Sequence, residues 1–194
     1  MLLVLGFFTC GFQLAFITGH LPQYLSDAGI GTIRLFGRDI SAGGLTLALI
    51  GLFNIAGSLS AGWLMTRMSR RWLLAGIYAL RSVVIAAFVT LPVTPTSALV
   101  FGACMGFLWL STVPPTAGLV ALMFGVRYMT MVYGFAFFSH QVGGFFGAWL
   151  GGVLYEAYRS YDVVWWLSVA LGLASAAINL PIRERPVARA AVPA

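Results

Sequence analysis

The chain has 194 residues, of which 60% are hydrophobic and 8% charged, and its mean hydropathy is +0.95. Soluble domains carry roughly 25% charged side chains, so the composition excludes a soluble enzyme, a disordered chain and a nucleic-acid-binding module in spite of the net charge of +6. What remains is an integral membrane protein; at ~1.5 Å of rise per residue and ~20 residues per crossing, the length holds about six helices.

In chain order, charge-poor apolar runs predict spans at residues 2–25, 44–66, 72–91, 97–124, 128–155 and 163–181, with a tail at 182–194. Runs this long are helices, because an open sheet cannot satisfy its backbone in lipid. The expected fold is therefore an all-α, six-helix polytopic bundle. Leu2, Leu3 and Val4 follow Met1 with no positive segment, so no cleaved leader is expected. A chain that opens inside its first span reads as a fragment, or as a start within a longer gene. Residues 26–43, which carry Asp27, Arg34, Arg38 and Asp39, read as a polar loop. The third span contains Arg81, and Pro114-Pro115 are expected to break the fourth.

Every basic residue is arginine, and the arginines are unevenly placed. Arg67, Arg70, Arg71, Arg127, Arg183, Arg185 and Arg189 fall on one side of the predicted spans, and Arg34, Arg38 and Arg159 on the other. The arginine-rich side is expected to be cytoplasmic, which puts both termini inside the inner (plasma) membrane. Tyr24, Tyr155, Tyr158, Trp165 and Trp166 are expected in the outer aromatic belt, and Trp63, Trp72 and Tyr128 in the inner one. Cys10 and Cys104 lie in apolar stretches without metal-ligand spacing, and read as small core residues.

The middle helix of each triplet of spans is rich in small residues. Span two has Gly51, Gly57 and Gly62; span five has the row Ser139-Gly143-Gly147-Gly151. Such rows let helices approach closely, and their recurrence fits a 3+3 inverted repeat as well as it fits any polytopic protein. Arg81 is the one charge within a span, so it should face protein or a cavity. It either holds an anionic substrate or a coupling group, or is a structural arginine bonded to helix carbonyls or to Tyr78. His140, near the middle of span five, is either a titrating coupling residue or a neutral interhelical hydrogen-bonder; Gln141 beside it is a candidate substrate contact. Gln13 and His20 on span one are expected to line a cavity. Trp109, Ser111 and Thr112 mark the break before the proline pair, where freed carbonyls can meet a ligand.

The segment Gly62-Trp63-Leu64-Met65-Thr66-Arg67-Met68-Ser69-Arg70-Arg71 resembles the G-x-x-x-D-R-x-x-R-R loop signature of the major facilitator superfamily. Gly62, Arg67, Arg70 and Arg71 match it, and Thr66 stands where the acid belongs, as in the degenerate second copy of the signature. The whole chain then resembles helices 7–12, the C-terminal half of a twelve-helix transporter, and residues 134–155 and 160–166 resemble the bacterial monocarboxylate and oxalate/formate branch. The resemblance implies that helices 7 and 10 line a central cavity, that helices 8 and 11 face a missing N-terminal half, and that helices 9 and 12 pack outside. Carboxylate-transporting relatives keep a buried arginine on helix 8, where this chain has Asn54, so Arg81 stands one helix later. Arg67, Arg70 and Arg71 would form a conformational latch, cap the end of helix 8, or simply anchor the inner loop.

Other chemistry is not expected. No carboxylate lies within a span, no nucleophile elbow, metal cluster or phosphate-binding loop is present, and neither an enzyme activity nor a cofactor is implied. The expected function is secondary transport of a small solute, such as a monocarboxylate or other organic anion. The alternative is a structural or transport-inactive half that needs a partner half or homodimerises.

Overall fold

A computed structural model describes residues 2–35 and 37–187. Seven helices, α1 (Leu2–Asp27), α2 (Ala42–Leu64), α3 (Arg70–Thr90), α4 (Pro95–Trp109), α5 (Val113–Phe124), α6 (Val126–Tyr158) and α7 (Asp162–Asn179), carry almost all of the structure. Taking α4 and α5 as one interrupted crossing leaves six rods. Five of these are long and apolar enough to span a membrane; the sixth, α6, has 33 residues and is diluted by its glycines, Ser139, His140 and Gln141.

Local chemistry sets the boundaries. The expected loop at 26–43 contains a hairpin instead: β1 (Thr32–Leu35) pairs antiparallel with β2 (Arg38–Ser41), with Arg34 opposite Asp39. Gly37 supplies the positive φ that the turn needs. Ser41 then caps α2 by accepting the Gly44 N–H at 3.3 Å. Thr94 and Ser97 form a reciprocal capping box that starts α4. Pro114 and Pro115 do not interrupt a helix. They open α5 in its first turn, where a missing N–H costs nothing, and the break lies just before them at residues 110–112.

Glycine determines how the rods pair. A Cβ at Gly143, Gly147 or Gly11 would collide with the backbone carbonyl of Phe8, Phe12 or His140 respectively, so α1 and α6 touch backbone to backbone. The partners climb together from Ser139 with Val4 to Tyr155 with Asp27, so the two helices run parallel. Gly57 meets the Phe107 carbonyl and Gly106 meets Ile50, which packs α2 parallel to α4 in the same way. By contrast α3 and α7 are antiparallel, with Ser82 bonded to the Val169 carbonyl and Arg71 to that of Leu180. These are the three most extensive helix pairs. Exchanging α1 with α4–α5, α2 with α6 and α3 with α7 maps this set onto itself, as a 3+3 repeat requires. The small-residue row of α6 is therefore used inside the chain, against α1, and does not await another half.

Trp165 is fully buried, against Phe16, Tyr24, Phe88 and Phe101, and belongs to the core rather than to an interfacial belt. Trp166 beside it is exposed. Cys104 is also exposed, on α4, rather than a core residue. At one end of the bundle the α2–α3 loop, the starts of α3 and α6, and the tail carry Arg67, Arg70, Arg71, Arg127, Arg183 and Arg185; Val187 of the tail bonds the Met123 carbonyl there. The opposite end has Asp27, Asp39, Glu156 and Asp162. Arg189 lies outside the described residues.

Candidate functional site

On α3 the buried side chains Leu74, Ile77, Tyr78, Arg81, Ser82, Ile85 and Phe88 recur at three- and four-residue spacing, so Arg81 sits on the inward stripe. Its side chain is wholly buried. The expected peripheral helix therefore points its one mid-span charge inward. About 16 Å along α3 from Arg70, the guanidinium meets Cys10 of α1, which accepts a hydrogen bond from Nη1 at 3.4 Å. Tyr78 and Trp109 flank it, each with its ring centre 5.9 Å from the guanidinium carbon. Thr112, at the start of α5, puts its hydroxyl 3.7 Å from the Cys10 sulfur. His140 of α6 is within electrostatic reach of Cys10.

Two nitrogens of Arg81, Nε and Nη2, are buried and make no hydrogen bond. They form the side-on edge of the guanidinium, whose two parallel N–H groups match the oxygens of a carboxylate. No salt bridge compensates the charge, since the acids at 27, 39, 156, 162 and 184 all lie at helix ends or beyond. His140 adds a second orphan, Nδ1, on a ring stacked on Phe137 and tilted against Phe7. A buried cation fork with two unbonded nitrogens, beside a thiol, a hydroxyl and an imidazole, is equipped to hold a small anion and to move a proton. Among the described residues no group of three or more metal-ligating side chains converges.

The structure thus joins Arg81, His140, Trp109 and Thr112. The other predicted residues lie elsewhere. Gln13 is buried but faces α7 rather than a cavity, donating to the Ser168 carbonyl at 2.8 Å. His20 is near the outer end, with Nε2 3.0 Å from the Ala148 carbonyl and its ring beside Phe16 and Tyr161. Gln141 is exposed on the outward side of α6. Asn54 accepts the Leu110 N–H at 3.0 Å, so it satisfies the backbone freed at the α4–α5 break. Ser111 turns back onto the Phe107 carbonyl at 2.5 Å. Cys10 was read as a core residue; in sequence it has no neighbour that reveals its partner 71 positions away.

The loop motif does something different from capping α2. Arg71 reaches the carbonyls of Leu180 and Ile182 at the end of α7, at 3.5 and 3.4 Å. Arg67 is exposed over Trp63, Arg70 lies against Gly118 of α5, and Gly62 has open space where a Cβ would be. The missing acid comes from the tail: Glu184 accepts hydrogen bonds from the Ser69 hydroxyl and, at 2.8 Å, from the Arg71 N–H. Burial pushes the Glu184 carboxyl up, but those bonds, a third from the Arg70 N–H, and the Arg70 charge outweigh it and hold the group below its ordinary value.

The model of the Major Facilitator Superfamily matches residues 2–194. A protein of Bacillus subtilis (strain 168), described as an uncharacterized MFS-type transporter, YcxA, is 27% identical over 184 residues, which cover 92% of this chain and 43% of that protein. The chain spans less than half the length of this curated relative.

Proposed function

Because the chain belongs to the major facilitator superfamily, a family of membrane transporters, we propose that it is the C-terminal six-helix half of a secondary transporter that moves a small organic anion, a monocarboxylate, by alternating access. One observation carries the anion: a wholly buried arginine, without an acid, keeps its side-on fork unbonded. A charge at such depth costs about 2.5–3.5 kcal/mol on insertion scales, and a carboxylate on the fork offsets it. The fork lies beside the α4–α5 break, where Trp109 flanks the guanidinium and Asn54 supports the loosened backbone. The arginine-rich end faces the cytoplasm of the inner membrane, with both termini there. The opposite wall of the cavity comes from an N-terminal half, which accounts for the length of the relative.

That length also favours a second reading, a half that is inactive alone. Lactate uptake into liposomes distinguishes the two. The chain joined with an N-terminal half of the family should accumulate radiolabelled lactate, and the chain alone should not. Absence of lactate binding and uptake in the joined protein sinks the anion reading. Uptake by the chain alone as a homodimer would replace the missing half by a second copy.

A further inference from the structure

Cys10 accepts a hydrogen bond from Arg81 and takes no part in the fork that would hold the anion. Its sulfur is 1% exposed as a residue, 3.4 Å from Nη1 and 3.7 Å from the Thr112 hydroxyl. The fork that would hold a carboxylate is the other edge of the same guanidinium, Nε and Nη2. Titratable and charged groups face Cys10 from two helices: Arg81 and Tyr78 from α3, and His140 and Tyr133 from α6. Arginine does not give up its proton under workable conditions. With no carboxylate inside any span, Cys10 is the side chain hydrogen-bonded to Arg81 that can exist as an anion.

We propose that Cys10 carries the proton that accompanies the anion. The inference rests on Arg81 as the anion site and adds the coupling to it. In the empty site the Cys10 thiolate is the counter-ion of Arg81, with Thr112 donating to the sulfur. A carboxylate that seats on Nε and Nη2 would leave two anions against one cation in a low-dielectric interior, which is costly. One proton, taken from water on the entry side, binds the sulfur and forms the S–H bond; the site is again neutral. When the carboxylate leaves on the other side, the S–H bond breaks and the proton follows. One anion and one proton cross together, and the bundle never moves a net charge. His140, half-buried with an unbonded Nδ1 beside Cys10, is the port through which the proton comes and goes.

The test counts protons. Lactate is titrated into the joined transporter in detergent, in two buffers of different ionisation enthalpy. The wild type should take up about one proton per lactate bound, and Cys10→Ser should bind lactate with no proton uptake. Lactate binding without proton uptake in the wild type, or proton uptake that persists in Cys10→Ser, overturns the proposal. Equal lactate binding by wild type and Arg81→Ala overturns the anion site itself, which is a distinct failure. A second measurement covers a Cys10→Ser protein that does not fold. In a Cys104→Ser background, saturating lactate should slow the reaction of Cys10 with methyl methanethiosulfonate, which forms a mixed disulfide and releases methanesulfinate, at least tenfold, because the thiol replaces the thiolate. An unchanged or faster rate counts against it.

Discussion

Arg81 shows how far one side chain can be read. Its depth, and the need for a partner, follow from its position in an apolar run. Which face of α3 it takes does not, because Leu80 and Val83 on the exposed face are as apolar as Leu74 and Ile85 on the buried one. Cys10 was less legible still, since only the folded arrangement brings it to Arg81 of α3. Arg81→Lys keeps the charge and loses the fork, and Arg81→Ala loses both. Hydrogen bonds to charged groups are worth about 1.5–3 kcal/mol each. Arg81→Lys should therefore weaken lactate binding by about ten- to a hundredfold, while Arg81→Ala abolishes it, both read by calorimetry. A purely structural arginine would instead give folded protein with unchanged affinity, or too little protein to titrate.

At the scale of elements, the all-α character and the order of the long apolar runs were legible because each crossing needs such a run. Their pairing was not. The row Gly143-Gly147-Gly151 announced a close approach, and only the three-dimensional register assigns it to Phe8, Phe12 and His20 of α1. Gly147→Ala places a methyl against the Phe12 backbone, which cannot yield, and should cost about 1–3 kcal/mol. Gly152→Ala meets nothing within 4 Å and should be neutral or stabilising by up to about 1 kcal/mol. A thermal-unfolding series that ranks the two the other way would refute the assigned packing. The hairpin at 32–41 escaped the sequence because its strands are only four residues each, too short for their alternation to stand out from a charged loop. Glu184 escaped it because its target, the start of α3, is 113 residues away. As Glu184 is held below its ordinary value, its stabilisation is present above the usual carboxylate range and is lost as pH falls through the lowered value. Glu184→Gln should lower stability by about 0.5–1 kcal/mol near neutral pH, the low end for a helix cap because the carboxylate is partly in solvent. The difference in Tm between the two proteins should shrink toward zero as pH falls below the usual carboxylate range and through the lowered value, where the wild-type carboxyl becomes protonated too.

On the scale of the whole molecule, the distribution of charge was the most legible feature. It needs no knowledge of packing, only of which loops lie at which end. The fold gathers Arg67, Arg70, Arg71, Arg127, Arg183 and Arg185 at one end, and sets Arg34, Arg38 and Arg159 among the acids at the other. Insertion follows the arginine bias of short loops, while acids contribute little, so the hairpin end should face outward. Six arginines against three is a sufficient bias only if no N-terminal half, already inserted, imposes the opposite orientation on the first span. The two halves agree in sign when both place their arginine-rich loops inside, which is the arrangement a twelve-helix transporter needs. The prediction is made on single cysteines, with Cys10 and Cys104 replaced by Ser. In intact cells a membrane-impermeant maleimide should label Arg38→Cys, on the hairpin, and spare Arg185→Cys until the membrane is opened. The reverse pattern would place the fork, the thiol and the tail in an inverted half, and the loop motif with its Glu184 cap outside the cell. Labelling of both sites in intact cells would mean two coexisting orientations, and therefore too weak a bias to fix the topology of this half.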